Sequence, residues 1–158
     1  MMNQAVDTGV LAAAKEALFR FAAGQDLSDR ELFESAFSER AVLDFQQPAR
    51  RFGAAVPVFE GRKMIVDTVF AVLAPLVTTH TITNVRAIAW NGSSARLHAL
   101  VEAQHVSRND QTRQFLLKNH YWVDVLKEDR FWVIGRLQIE NVWFTGWPDV
   151  MFPDSPSD

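Results

Sequence analysis

The sequence predicts an α+β domain in which helices come first and a curved antiparallel sheet follows. Three observations carry this prediction. Apolar residues recur at helical spacing in the N-terminal half. After Val77 they alternate at strand spacing, in four long runs. Short polar turns join those runs, Asn91-Gly92 being the strongest. Helices that precede a meander form a layer of their own and must cover one face of the sheet.

Residues 1–7 are polar and expected to fray. From Val10, the residues Leu11, Ala14, Leu18, Phe21 and Ala22 make one apolar stripe, and Gly24 is expected to stop that helix. Ser28, with Glu31 three residues on, reads as a capping box opening a short helix through Leu32, Phe33 and Phe37. Ala41-Val42-Leu43-Asp44-Phe45 reads as a short strand. Residues 46–57, with Pro48, Gly53 and Pro57, read as a loop or irregular hairpin. Met64 to Leu76 is helical, with its end marked by Pro75. The strands are then His80–Trp90, Ala95–Val106, Gln114–Leu126 and Phe131–Phe144. One domain is expected over 8–147, with 1–7 and 148–158 as flexible or covering tails.

Of the 158 residues, 48% are apolar and 22% charged, a globular balance. The absence of cysteine rules out disulfides and a thiolate nucleophile and suits a reducing compartment. A net charge of −3 gives no steering toward nucleic acid or anionic lipid. No stretch reads as a secretion signal or membrane span, so a cytoplasmic address is the default expectation. Neither a glycine-rich phosphate loop nor a Gly-x-Ser-x-Gly elbow is found.

Strand parity assigns faces. Ala95, Leu97, Ala99, Val101, Ala103 and His105 share a small, apolar, inward face; Arg96, His98, Leu100, Glu102 and Gln104 take the other. His80, Ile82 and Asn84 share a face, as do Asn119, Tyr121, Val123 and Val125. Small inward side chains leave room for a cavity, onto which Asp26, His80, His105 and Asn119 could converge. Each has a plainer reading. His80 reads equally as a strand-end histidine bonded to a carbonyl, Asp26 as a cap, His105 as a rim histidine and Asn119 as an amide bridging strands. His98 and His105 have opposite parity, so no metal site is expected from them. The outer face carries Trp122 and other large groups, and such a face calls for a homodimer or homotrimer.

Four stretches bring a resemblance: Phe21-Ala22-Ala23-Gly24-Gln25-Asp26-Leu27-Ser28-Asp29, Ala41-Val42-Leu43-Asp44-Phe45, Thr79-His80-Thr81-Ile82-Thr83-Asn84 and Trp132-Val133-Ile134-Gly135-Arg136. In this order they resemble the SnoaL-like group of the cone-shaped fold shared by scytalone dehydratase, ketosteroid isomerase and nuclear transport factor two. The resemblance runs from about Leu11 to Phe144. It implies a cone-shaped half-barrel packed on N-terminal helices. Compared with scytalone dehydratase, it implies His80 as general base, Asp26 as the carboxylate that orients it, His105 as a second active-site histidine and Asn119 as a substrate-binding amide. Gln25 and Phe45 stand where that enzyme has two tyrosines, so its electrophilic assistance is missing and scytalone is not the expected substrate. The Asp–His pair also resembles that of a dehydrochlorinase acting on hexachlorocyclohexane. Tyr121 and Trp143 complete the expected lining.

The implied chemistry is cofactor-independent proton abstraction from a small cyclic or aromatic, hydrophobic substrate, followed by elimination or isomerisation. An imidazole can take a carbon-bound proton near neutral pH, and an aspartate fixes its tautomer. In that scheme His105 and Asn119 hold a carbonyl or hydroxyl, or protonate the leaving group. Two rival readings stay open: a non-catalytic binding or accessory domain on this fold, and a polyketide cyclase. An Asp26–His80 hydrogen bond in an open pocket would favour the enzyme, a plugged cavity the accessory domain, and cavity volume would separate the cyclase.

Overall fold

The computed structural model describes residues 8–153. The first expected tail and the end of the second, residues 1–7 and 154–158, lie outside the described residues. The elements run α1 (Thr8–Asp26), α2 (Arg30–Ser35), β1 (Phe37–Asp44), α3 (Gln46–Arg51), β2 (Phe59–Glu60), α4 (Arg62–Leu73), β3 (Leu76–Trp90), β4 (Ser94–Ser107), β5 (Gln114–Glu128) and β6 (Phe131–Gly146), with a 3₁₀ turn at Pro148–Val150. The six strands form one open sheet in the order β2-β1-β6-β5-β4-β3. β3 to β6 are the expected antiparallel meander. β1 departs from it by pairing parallel to β6, which lets an early strand join the sheet from the helical half. Register shifts in β3/β4, β5/β6 and β1/β6 bend the strands. An extra residue on one strand adds twist, so the sheet curls around its helices.

The concave face is the core. Ala14, Ala17, Leu18 and Phe21 of α1 pack on Leu97, Ala99, Val101, Tyr121, Val123, Leu137 and Ile139. The helix stripe and the strand parity foreseen in the sequence meet here. A second apolar cluster of Phe52, Phe115 and Leu117 gathers Phe45, Phe144, Met151 and Phe152 at the open end. There the described part of the C-terminal tail covers the sheet. Among the described residues no helix is long and apolar enough to cross a membrane.

Local expectations differ from the structure at five places. Gly24 does not stop α1, which continues to Asp26. Its missing side chain instead admits α2, because a Cβ there would sit 2.5 Å from the Phe33 backbone. The cap of α2 is Asp29, whose Oδ1 accepts from the Leu32 N–H at 2.9 Å. Ser28 has φ 54°, outside helical space, and Phe37 begins β1 rather than ending a helix. Part of the expected loop, Gln46–Arg51, is helical: Pro48 sits in the first turn, where its missing N–H costs no helical bond. Finally, α4 ends at Leu73 and Leu76 opens β3.

Candidate active site

Asp26 is the last residue of α1, and β3 passes beside it. Its carboxylate accepts three hydrogen bonds from that strand: His80 Nδ1 to Oδ1 at 2.6 Å, the His80 backbone N–H to Oδ2 at 2.7 Å, and Thr78 Oγ to Oδ1 at 2.9 Å. The parity of β3 turns both Thr78 and His80 inward, which is why one carboxylate can collect all three. Burial pushes the Asp26 carboxyl up, but the bonds from His80 and Thr78 outweigh it and hold the pKa below the ordinary value. The His80 side chain is only 3% exposed. Facing an ionised carboxylate, Nδ1 is the ring nitrogen that donates.

His80 lines a cavity of about 230 Å³ enclosed between α1, α4 and the sheet. Gln25, Phe45, His105, Asn119 and Tyr121 line it as expected from the sequence, alongside apolar walls such as Phe21, Val69, Val72, Leu117 and Ile139. Phe21 packs edge-on against both His80 and Tyr121, with centroids 6.3 and 6.0 Å apart. Gln25 donates Nε2 to the Phe21 carbonyl at 3.1 Å, which leaves its Oε1 and the second Nε2 hydrogen to offer elsewhere. Phe45 stacks on Phe152 at 6.1 Å over the open end.

His105 stands 6.0 Å from His80, ring centroid to ring centroid. Its Nδ1 donates to the Phe115 carbonyl at 3.3 Å. Burial, then the nearby His80, push its pKa from 6.5 down to about 3. It is neutral at pH 7, so the imidazolium that a general acid would need is not populated. What His105 offers is hydrogen bonding. Burial likewise raises the Tyr121 hydroxyl well above its ordinary value, so it stays a neutral donor.

Two expected placements are corrected. Trp143 is not in the cavity: it is 48% exposed, with the Lys118 ammonium 5.7 Å from its ring centre. The register of β5/β6 shifts there, Asn119 opposing Asn141 and Lys118 opposing Trp143. One extra residue, Val142, turns Trp143 onto the face that Lys118 occupies. Asn84 is also exposed, because it adopts φ 54° at the β3 bulge and leaves the face of His80 and Ile82.

The residue the sequence reading missed is Asn141, 4% exposed, whose Nδ2 donates to Asn119 Oδ1 at 2.9 Å. Its spacing from Ile139 and Leu137 on one strand face was the available signal. On the convex face His98 and His120 bond each other at 2.9 Å, and Trp122 donates to Glu140 at 3.1 Å. These groups lie across the sheet from the cavity.

Fold and cavity together define an α+β cone domain with an internal pocket of small-molecule size. The chain belongs to the SnoaL-like domain family, whose model matches residues 10–138. It is similar to terrestric acid biosynthesis cluster protein E of Penicillium crustosum, at 28% identity over 140 residues, covering 85% of this chain and 84% of that one. Among solved structures it resembles a protein assigned as a scytalone dehydratase from Novosphingobium aromaticivorans. The TM-score is 0.73 at 20% identity, with 88% of each chain covered. It also resembles the type-3 hexachlorocyclohexane dehydrochlorinase of Novosphingobium barchaimii, at TM-score 0.73 and 16% identity, covering 88% of this chain and 90% of that one. At these identities the structural likenesses establish the fold.

Proposed function

We propose that this protein is a cofactor-independent lyase or isomerase in which His80 abstracts a carbon-bound proton from a small cyclic, largely apolar substrate. The observation that carries this reading is the 2.6 Å bond between His80 Nδ1 and Asp26, with the opposite edge of the ring left to the cavity. In a dehydration, Nε2 takes the proton, the C–H electron pair forms the new double bond, and the C–O bond breaks. The leaving hydroxyl departs as water with the proton that His80 has just received. One histidine thus serves as base and then acid, which fits a neutral His105. Asp26 stabilises the transient imidazolium, and apolar walls strengthen that pairing by excluding water. His105, Tyr121, Asn119 and Gln25 are the groups that would orient the substrate's polar atoms.

The cavity volume supports a small substrate. About 230 Å³ lies between the roughly 150 Å³ that accepts benzene and the pockets of about 300–1,000 Å³ that take drug-sized ligands. This weighs against a polyketide cyclase with a large ring system. It also weighs against the accessory-domain reading, in which Phe45 or the tail would plug the cavity rather than line it. A relative named for a biosynthesis cluster is in keeping with small-molecule chemistry. We further propose self-association through the convex face, as a homodimer or homotrimer, and a cytoplasmic location; light scattering giving a monomer would contradict the first.

The test is a panel of cyclic β-hydroxyketones, enones, phenols and halocyclohexanes incubated with the protein and followed by NMR. At least one is expected to turn over, and His80→Ala is expected to slow it by about two to four powers of ten while the fold persists. Equal turnover by folded His80→Ala would refute the mechanism.

A further inference from the structure

The carboxylate of Asp26 is held by more than the imidazole it faces. β3 is the outermost strand of the sheet, so a backbone N–H that points away from β4 has no ladder partner. The His80 N–H is such a group. It donates to Asp26 Oδ2 at 2.7 Å, while the ring of the same residue donates from Nδ1 to Oδ1 at 2.6 Å. Those two bonds tie the carboxylate to His80 alone. The third ties it to the strand at a separate residue, through Thr78 Oγ1, which donates to Oδ1 at 2.9 Å. Thr78 is 5% exposed, pairs with His105 of β4 and lies outside the cavity lining. Its hydroxyl therefore works on Asp26 rather than on the substrate.

Oδ1 is thus shared between two donors, the His80 ring and the Thr78 hydroxyl. Each donor draws charge from the oxygen it binds and stabilises the anion against the neutral acid. Burial pushes the Asp26 carboxyl up; the bonds of His80, and then that of Thr78, bring it below its ordinary value. The sharing matters once Nε2 has taken a proton. The ring then carries a proton on each nitrogen and one positive charge. Were the Nδ1 proton to cross to Oδ1, the pair would become a neutral carboxylic acid and a neutral imidazole. The proton left on Nε2 of a neutral ring is held too tightly to serve a departing hydroxyl.

We propose that Thr78 is a positioning residue: by binding the oxygen that His80 Nδ1 also binds, it keeps Asp26 an anion and the proton on the His80 ring, so that one histidine can serve first as base and then as acid. This deepens the proposed function and rests on its reading of His80 as the base. The role needs a hydroxyl at this strand position. Serine supplies the same donor from the same place, whereas valine keeps the branched shape and loses the donor. With valine there, Oδ1 keeps only the ring as a partner, becomes the stronger base and draws the Nδ1 proton toward itself.

The test is ¹H–¹⁵N NMR of the free protein at pH 7.5, with the Nδ1–H group of His80 as the probe. In Thr78→Val, or Thr78→Ala if the valine variant does not fold, the Nδ1 proton is expected to move downfield and the Nδ1 nitrogen toward its non-protonated position. In Thr78→Ser both are expected to lie at their wild-type positions. A merely structural role would lower the urea midpoint of the valine variant and leave both signals in place. With a panel compound that the wild type turns over, Thr78→Val is expected to lower kcat about tenfold at unchanged KM, the scale of one hydrogen bond to a charged group. Unmoved His80 signals in the folded valine or alanine variant, or a serine variant displaced as far as the valine one, would overturn the inference. Because the NMR needs no substrate, this outcome stays separate from the kinetics of His80→Ala.

Discussion

His105 makes the stability of this protein depend on pH in a calculable way. In the unfolded chain its imidazole titrates near 6.5; in the fold, burial and the neighbouring His80 bring this down to about 3. Between these values the unfolded state holds a proton on His105 and the folded state does not. Stability therefore rises with pH across the window, by about 1.4 kcal/mol for each pH unit, and falls as the solution is acidified. Over the whole window this one group is worth on the order of 5 kcal/mol, comparable to the stability of a small domain. Asp26 works in the same direction lower down. Its folded pKa lies below the ordinary carboxylate value, so its contribution is complete above that value and lost as pH falls through the folded one. The perturbation is His105→Asn, which removes the titrating group and keeps a polar side chain. The assay is urea unfolding at half-unit steps from pH 7.5 to 4.5. The variant is expected to lose about 1.4 kcal/mol per pH unit of slope below pH 6. Superimposable slopes for variant and wild type would refute the assignment of His105 as a buried neutral imidazole.

Other expectations concern the base and the helix contact. Asp26→Asn keeps the shape but removes the anionic acceptor of three hydrogen bonds, and is expected to lower Tm and, in the protein that still folds, to lower turnover by about two powers of ten or more; unchanged kinetics would contradict the role given to the carboxylate. Gly24→Ala puts a methyl group 2.5 Å from the Phe33 backbone and is expected to destabilise by about 1–3 kcal/mol, read as a lower urea midpoint. Trp143→Ala, on the face away from the cavity, is expected to leave turnover of whichever panel compound the wild type accepts unchanged.

Much of the site was legible because strands alternate. Parity alone placed His105, Asn119 and Tyr121 on the inward face, whereas Asp26, expected in a turn after a helix stopped by Gly24, is instead the last residue of α1. Parity failed where an extra residue entered a strand. Trp143 and Asn84 both lie at register shifts, and a bulge leaves no signature that separates Val142, or Asn84 and Val85, from ordinary strand residues. Asn141 escaped notice for a related reason: it meets Asn119 across the strand, a pairing set by register. The parallel joining of β1 to β6 is equally a matter of which edge is open once the meander has formed. Asp29 and Ser28 could each have capped α2. The left-handed backbone at Ser28 decided it, and that depends on how α1 turns into α2.

The central claim is that Asp26 holds His80 with its Nδ1 protonated and its Nε2 lone pair turned to the cavity. Long-range ¹H–¹⁵N NMR of the histidine rings at pH 7.5 reads this directly, with the His80 signals assigned by their loss in His80→Ala. The account predicts a protonated Nδ1 and a non-protonated Nε2 for His80 in the wild type, with that tautomer preference lost in Asp26→Asn. A protonated Nε2 in the wild type would point a donor rather than a base at the substrate, and would contradict it.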